Sequence, residues 1–200
     1  MTGRSLSLAK GILKNSGMKH IHASVYTNPA ALSKPDLWAV DLPWPHFLEW
    51  NLFNSVMSPS IALDFDGILC NDCRPIEDDD GERYLNFLEN AVPKYLPKKT
   101  SVPLIITARI EKYRPQTITW LKRWGVRYNK LVMHSAPTLQ ERNRDNIARY
   151  KAEHYSSWVS SNNFKISPPV FIESDDHQAR KIAEYSRSPV ICPTSKRAYQ

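Results

Sequence analysis

The chain has 200 residues, 42% of them hydrophobic and 24% charged, enough for one domain with a core and a smaller appended piece. No apolar run approaches the roughly 18 residues a membrane span needs, and Met1-Thr2-Gly3-Arg4-Ser5 opens no secretory h-region, so neither a membrane protein nor an exported one is expected. Three cysteines are too few for a disulfide scaffold, and the lone pair Cys70/Cys73 lacks the second ligand pair zinc requires, so a reducing, cytoplasmic location fits best. The net charge of +7 suits a phosphorylated or polyanionic partner; nucleic acid is not favoured, because no basic block is interleaved with aromatics.

In chain order, Ser5–Asn15 has helical spacing, Ser16-Gly17 turns, and His20–Tyr26 reads as a strand. Thr27–Asn54 holds four prolines and three tryptophans and is expected to be an irregular, packed connector. From Ser60 the pattern becomes regular. Strands are expected at Ile61–Asp66, Val102–Thr107, Lys130–His134, Pro169–Glu173 and Pro189–Cys192. Helices are expected at Gly81–Val92, Arg114–Trp124, Leu139–Trp158 (long, strongly charged and open to a break) and Asp175–Tyr185. Short apolar runs alternating with helices predict an α/β fold with a parallel sheet covered on both faces.

Four features fall at predicted strand ends or helix starts. Asp64 and Asp66 end the run Ile61-Ala62-Leu63, and Gly67 turns the chain at once. Carboxylates there are costly unless their charge is offset, and this end of an open α/β sheet is where ligands bind. The pair is thus placed for a divalent cation, a phosphate, or both. Thr107 closes Leu104-Ile105-Ile106, Lys151 precedes the next strand, and Glu173-Ser174-Asp175-Asp176 ends Val170-Phe171-Ile172. Lys165 is a rival for the lysine, and Asp175 and Asp176 have helix capping as an alternative role.

This arrangement resembles the haloacid dehalogenase-like (HAD) phosphohydrolase superfamily over roughly Ser60–Cys192. Asp64-Phe65-Asp66-Gly67-Ile68-Leu69 matches its motif D-x-D-G-x-L, Leu104–Thr107 its second motif, and Lys151, 22 residues before Glu173, its third-motif lysine. The resemblance implies a Rossmann-like fold, Mg²⁺, and phosphomonoester hydrolysis, with Asp64 as nucleophile and Asp66 as acid and base. It implies that Thr107 and Lys151 stabilise the phosphoryl group, and that Asp64, the Asp66 carbonyl and a fourth-motif acid hold the metal. Glu-Ser-Asp-Asp departs from the family's usual Gly-Asp or Asp-Asp, so Glu173 and Asp175 both stand as candidate ligands. About 36 residues separate Asp66 from the second strand, room only for a small cap or none.

Thr2-Gly3-Arg4-Ser5 with the following helix and strand resembles the end of the phosphoribosyl-diphosphate loop of type I phosphoribosyltransferases. Residues 1–55 then form a C-terminal remnant plus connector, and 56–200 the hydrolase-like domain. The acidic pair of that loop is missing, so transferase activity is not expected. A small phosphorylated substrate is expected, with a nucleotide or sugar phosphate the best guess. A non-catalytic module working with a phosphoribosyltransferase partner, self-association, and a nucleic-acid end-processing phosphatase are the competing expectations.

Overall fold

The computed structural model describes residues 4–43, 53, 58–142, 146–164 and 167–200. The chain divides into two compact units, Met1–His46 and Phe47–Gln200.

The first unit contains helix α1 (Arg4–Lys14) and two parallel strands, β1 (Ala23–Thr27) and β2 (Leu37–Asp41), with Ala23 opposite Leu37 and Thr27 opposite Asp41. Strand β2 lies inside the stretch expected to be irregular. Four prolines hid it, but Leu-Trp-Ala-Val is a sound strand segment once Asp36 anchors its start. The Asp36 carboxylate accepts from the His22 backbone N–H at 2.8 Å and from Lys10 Nζ at 2.9 Å. These contacts, the His22 backbone bond foremost, hold its carboxyl well below the usual range. Of the other tryptophans in that stretch, Trp44 and Trp50 lie outside the described residues, as do Thr2 and Gly3.

The second unit is α/β. Its strands are β3 (Ile61–Leu63), β4 (Val102–Ile110), β5 (Tyr128–His134), β6 (Val170–Ile172), β7 (Val190–Cys192) and β8 (Arg197–Tyr199). They form one sheet in the order β5-β4-β3-β6-β7-β8, parallel except for β8. Helices α2 (Glu82–Asn90), α3 (Arg114–Arg123), α4 (Ile147–Ser161) and α5 (Asp176–Ser186) fill the crossovers. The chain steps outward from β3 to β5, then returns to the other side of β3. Right-handed crossovers therefore place α2 and α3 on one face and α4 and α5 on the other, and the helices pack together in those pairs.

Strands β3, β6 and β7 are buried at every position, the pattern of a parallel sheet covered twice. Ala62, Ile106, Phe171, Val190, Tyr155 and Ile182 form the core under α4 and α5. On the other face Trp120 packs edge-on against Phe65 at 5.1 Å and donates from Nε1 to Ala91 O at 2.8 Å.

Several boundaries differ from expectation. The predicted helix over Leu139–Trp158 is α4 alone, starting at Ile147; residues 139–142 are turn, and 143–145 lie outside the described residues. The charged, proline-bounded segment before Ile147 offers no apolar stripe to bury. β8 was not anticipated, because Arg197-Ala198-Tyr199 is short and mostly exposed. β4 runs three residues past Thr107, with a register shift between Thr107 and Ile110. No described helix is long and apolar enough to cross a membrane.

Candidate active site

The strand order reverses at β3, and a crevice opens beyond the carboxyl ends of strands at such a point. Sheet register brings the expected acids together there. Leu63 is opposite Ile172, so Asp64 and Glu173, each one residue further, are neighbours across the β3–β6 pair. Backbone bonds continue the ladder: Asp64 N donates to Ile172 O at 2.9 Å and Glu173 N to Ile191 O at 3.0 Å. Leu63 is also opposite Ile105, which sets Thr107 at the same end of β4.

Lys151, in the second turn of α4, reaches between the two acids. Its Nζ donates to Asp64 Oδ2 at 2.7 Å, to Glu173 Oε2 at 2.6 Å and to Gln178 Oε1 at 3.2 Å. The three side chains of Asp64, Lys151 and Glu173 are 8%, 2% and 1% exposed, so their charges are barely screened by water. Burial opposes the Lys151 ammonium, but Asp64 and Glu173 hold its pKa above the ordinary value. Burial also raises the Asp64 carboxyl, against the pull of Lys151. Burial and then the Asp64 carboxylate push Glu173 up to about 8. One ammonium thus lies between two buried carboxyl groups, each raised in pKa by burial.

The remaining acceptors are spoken for by backbone. Phe65 N donates to Asp64 Oδ1 at 2.7 Å and Asp175 N to Glu173 Oε1 at 3.2 Å. Asp175 itself is the N-cap of α5, accepting from Gln178 N at 2.8 Å. Asp176 accepts from Tyr199 Oη at 2.6 Å and from Ser195 Oγ. Of Glu173, Asp175 and Asp176, Glu173 is therefore the one joined to Asp64 and Lys151. Lys165, the rival lysine, lies outside the described residues.

Gly67 shapes the turn after the two aspartates. Its φ is +76°, and a Cβ there would meet Ser174 Oγ at 2.1 Å and Ser174 Cβ at 2.5 Å. A side chain is thus excluded twice, by backbone conformation and by space. Ser174 Oγ donates to the Asp66 carbonyl at 3.3 Å, and Lys94 Nζ to the Gly67 carbonyl at 2.9 Å. Thr107 is fully buried, and its Oγ1 accepts from Arg109 N at 3.2 Å, which leaves the hydroxyl proton for another acceptor.

The Asp66 side chain turns to a different cation. Arg109 Nη2 donates to Oδ1 at 2.6 Å and Nε to Oδ2 at 3.0 Å, a two-point fork, and Cys70 Sγ donates to Oδ1 at 3.3 Å. Arg109, Gln178, Ser174 and Lys94 were not singled out from sequence. For Arg109 there was a signal: a charged residue inside the apolar stretch Leu104–Ile110 demands a buried partner.

The acidic stretch before α2 is neutralised residue by residue. Glu77 pairs with Arg74, Asp78 with Arg142, Asp79 with Arg83 and Asp80 with Lys112. Asp78, Asp80 and Arg142 help line a cavity of about 440 Å³, and Arg142 Nη1 also donates to the Ala108 carbonyl at 3.1 Å.

A small hard cation fits the donor set. Asp64, Glu173 and the Asp66 carbonyl offer only oxygen, the donor type such a cation takes. Among the described residues no three His, Cys, Asp or Glu side chains converge on one point, so such an ion would take further oxygens from water and substrate. No protein-family model, curated protein or solved structure matches this chain.

Proposed function

We propose that the unit Phe47–Gln200 is a Mg²⁺-dependent phosphatase of the haloacid dehalogenase-like class, acting on a small phosphomonoester such as a nucleotide or sugar phosphate. The observation that carries this reading is the buried trio Asp64, Lys151 and Glu173 at the sheet's switch point, with Asp66 two residues on and Thr107 on the adjoining strand. A buried carboxylate beside a lysine is a nucleophile poised against an anionic group.

Mg²⁺, held by Asp64, Glu173 and the Asp66 carbonyl, would supply charge neutralisation between attacking carboxylate and phosphate. The rest is done by the chain. A carboxylate oxygen of Asp64 attacks phosphorus, and the bond from phosphorus to the leaving oxygen breaks. Asp66 delivers a proton to that oxygen. The Asp66 carboxylate then takes a proton from water, whose oxygen attacks phosphorus. Phosphate leaves and Asp64 is restored. Lys151 and the Thr107 hydroxyl stabilise charge on the phosphoryl oxygens. The short span between β3 and β4, holding only α2, provides no large cap.

The test is hydrolysis of an aryl phosphate with and without Mg²⁺, comparing the native chain with Asp64→Asn. Turnover that needs Mg²⁺ and vanishes in Asp64→Asn supports the reading. A folded native protein inert across a broad phosphomonoester panel refutes it. It would favour the second reading, a non-catalytic module, for which the observation is that Lys151 already satisfies both buried carboxylates.

A further inference from the structure

Among the described residues, Arg109 is a buried, heavily bonded side chain that the mechanism above does not use. It sits on β4 two residues after Thr107, where the ladder with β5 changes register. Such irregularities re-aim side chains next to functional sites. Its side chain is fully buried, a costly place for a guanidinium. Aromatic rings and acceptors surround it. The guanidinium carbon lies 3.9 Å from the centre of the Phe65 ring and 5.6 Å from that of Phe87. Nη1 donates to Thr117 Oγ1 at 3.4 Å and Nη2 to Cys70 Sγ at 3.5 Å. Nη2 and Nε form the fork on Asp66, whose side chain is 23% exposed and so open to a bound substrate.

The geometry points to Arg109 as the positioning residue of Asp66: it fixes the plane of that carboxyl group so that the proton Asp66 delivers is aimed at the leaving oxygen. This inference rests on the phosphatase reading and adds to it. A carboxylate held by a single hydrogen bond swings about its side-chain torsions, whereas a two-point fork fixes both torsion and plane. Phe65, between the two aspartates, is the anvil on which the fork rests. The same ring packs edge-on against Trp120, so the orientation of Asp66 is tied to the core under α3. Lysine cannot replace this arrangement, because it is a point charge without a fork.

A role in aiming the proton makes a specific kinetic demand. An alkyl phosphate needs its leaving oxygen protonated, while a nitrophenyl phosphate leaves readily without help. Arg109→Lys keeps a buried cation and loses the fork. It is expected to lower kcat/KM for an alkyl phosphate about 100-fold more than for p-nitrophenyl phosphate, the low end of what a general acid contributes. Asp66→Asn should show the same split, and adding Arg109→Lys to Asp66→Asn should widen it no further. Guanidinium ion added to Arg109→Ala should restore alkyl phosphate turnover selectively. Equal losses on both substrates, or a split that the double variant deepens, leave the phosphatase reading standing and overturn the role of Arg109. No turnover of either substrate by the native chain overturns the phosphatase reading and this inference with it. Melting curves of each variant separate loss of folding from loss of aim.

Discussion

Asp64 and Asp66 stand two residues apart, yet they belong to opposite electrostatic worlds. Asp64 is deep in the sheet and shares one ammonium with Glu173, and burial raises the pKa of both carboxyl groups. Asp66 is partly open, and the Arg109 fork satisfies it one to one. The difference teaches how one short turn serves two tasks. A carboxyl group in a buried, desolvated cluster is kept from water, whereas one gripped by a guanidinium fork is held in a fixed plane.

The largest expected effect comes from breaking the buried cluster. Lys151→Met leaves two buried carboxylates without a cation, and removing one partner of such a cluster costs about 3–5 kcal/mol. Urea unfolding should show the loss, and phosphatase turnover should disappear with it. An unchanged midpoint would mean that the charges of Asp64 and Glu173 are not balanced by Lys151.

The affinity of this cluster for a cation is tested by adding metal. Mg²⁺ should raise the melting temperature of the native chain, by the equivalent of about 2.7 kcal/mol at a hundredfold excess over Kd. Glu173→Gln should lose most of that gain, and Arg109→Lys should keep it. A gain that survives Glu173→Gln would move the cation away from the Asp64 cluster.

Next comes the turn that separates the two aspartates. Gly67→Ala places a Cβ 2.1 Å from Ser174 Oγ at a φ of +76°. Strain of this kind costs about 1–3 kcal/mol. Adding Ser174→Gly should recover the steric part and leave the backbone part. Full recovery in the double variant would show that space alone, and not backbone conformation, requires glycine there.

The smallest effect lies away from both clusters. Burial, and then Arg142 for His134 and Lys130 for His154, lowers the pKa of these two imidazoles. The folded state therefore binds fewer protons than the unfolded chain as pH falls below the ordinary histidine value of about 6.5. Their stabilisation is complete above that pH and is lost below it. Both rings are half-buried, so the loss is expected to stay under about 1 kcal/mol. Replacing both with glutamine should flatten the pH dependence of melting between pH 7 and 5 by that amount. A slope left intact would assign it to the carboxylates.

The two units also contrast. Strands β3, β6 and β7 are buried throughout, whereas β2 is exposed at every position, and Leu8, Ile12, Val25, Leu32 and Leu37 are exposed as well. Sequence patterns were easiest to read where burial was greatest. In the second unit, apolar runs of three residues announced the parallel strands, and Pro115 and Gly125 bracketed α3. In the first unit, β2 was missed because the prolines around it argued for a loop and no buried stripe argued back.

Within the candidate site, local sequence sufficed for whatever the strand ends dictate. An apolar run closed by Asp64-Phe65-Asp66-Gly67, another by Thr107 and a third by Glu173 fixes which side chains reach one end of a parallel sheet, because strand direction and strand end are both encoded nearby. Pairing across long sequence separations was decided only by the fold. Lys151 is 87 residues from Asp64, and Arg109 is 43 from Asp66. Register, the shift in β4 and the seat of α4 assign each cation to its carboxylate. Asp175 was legible as either ligand or cap, and the helix beginning at Asp176 took its carboxylate for the cap. Residue types and strand ends are written along the chain; which charge meets which depends on how the strands order themselves in space.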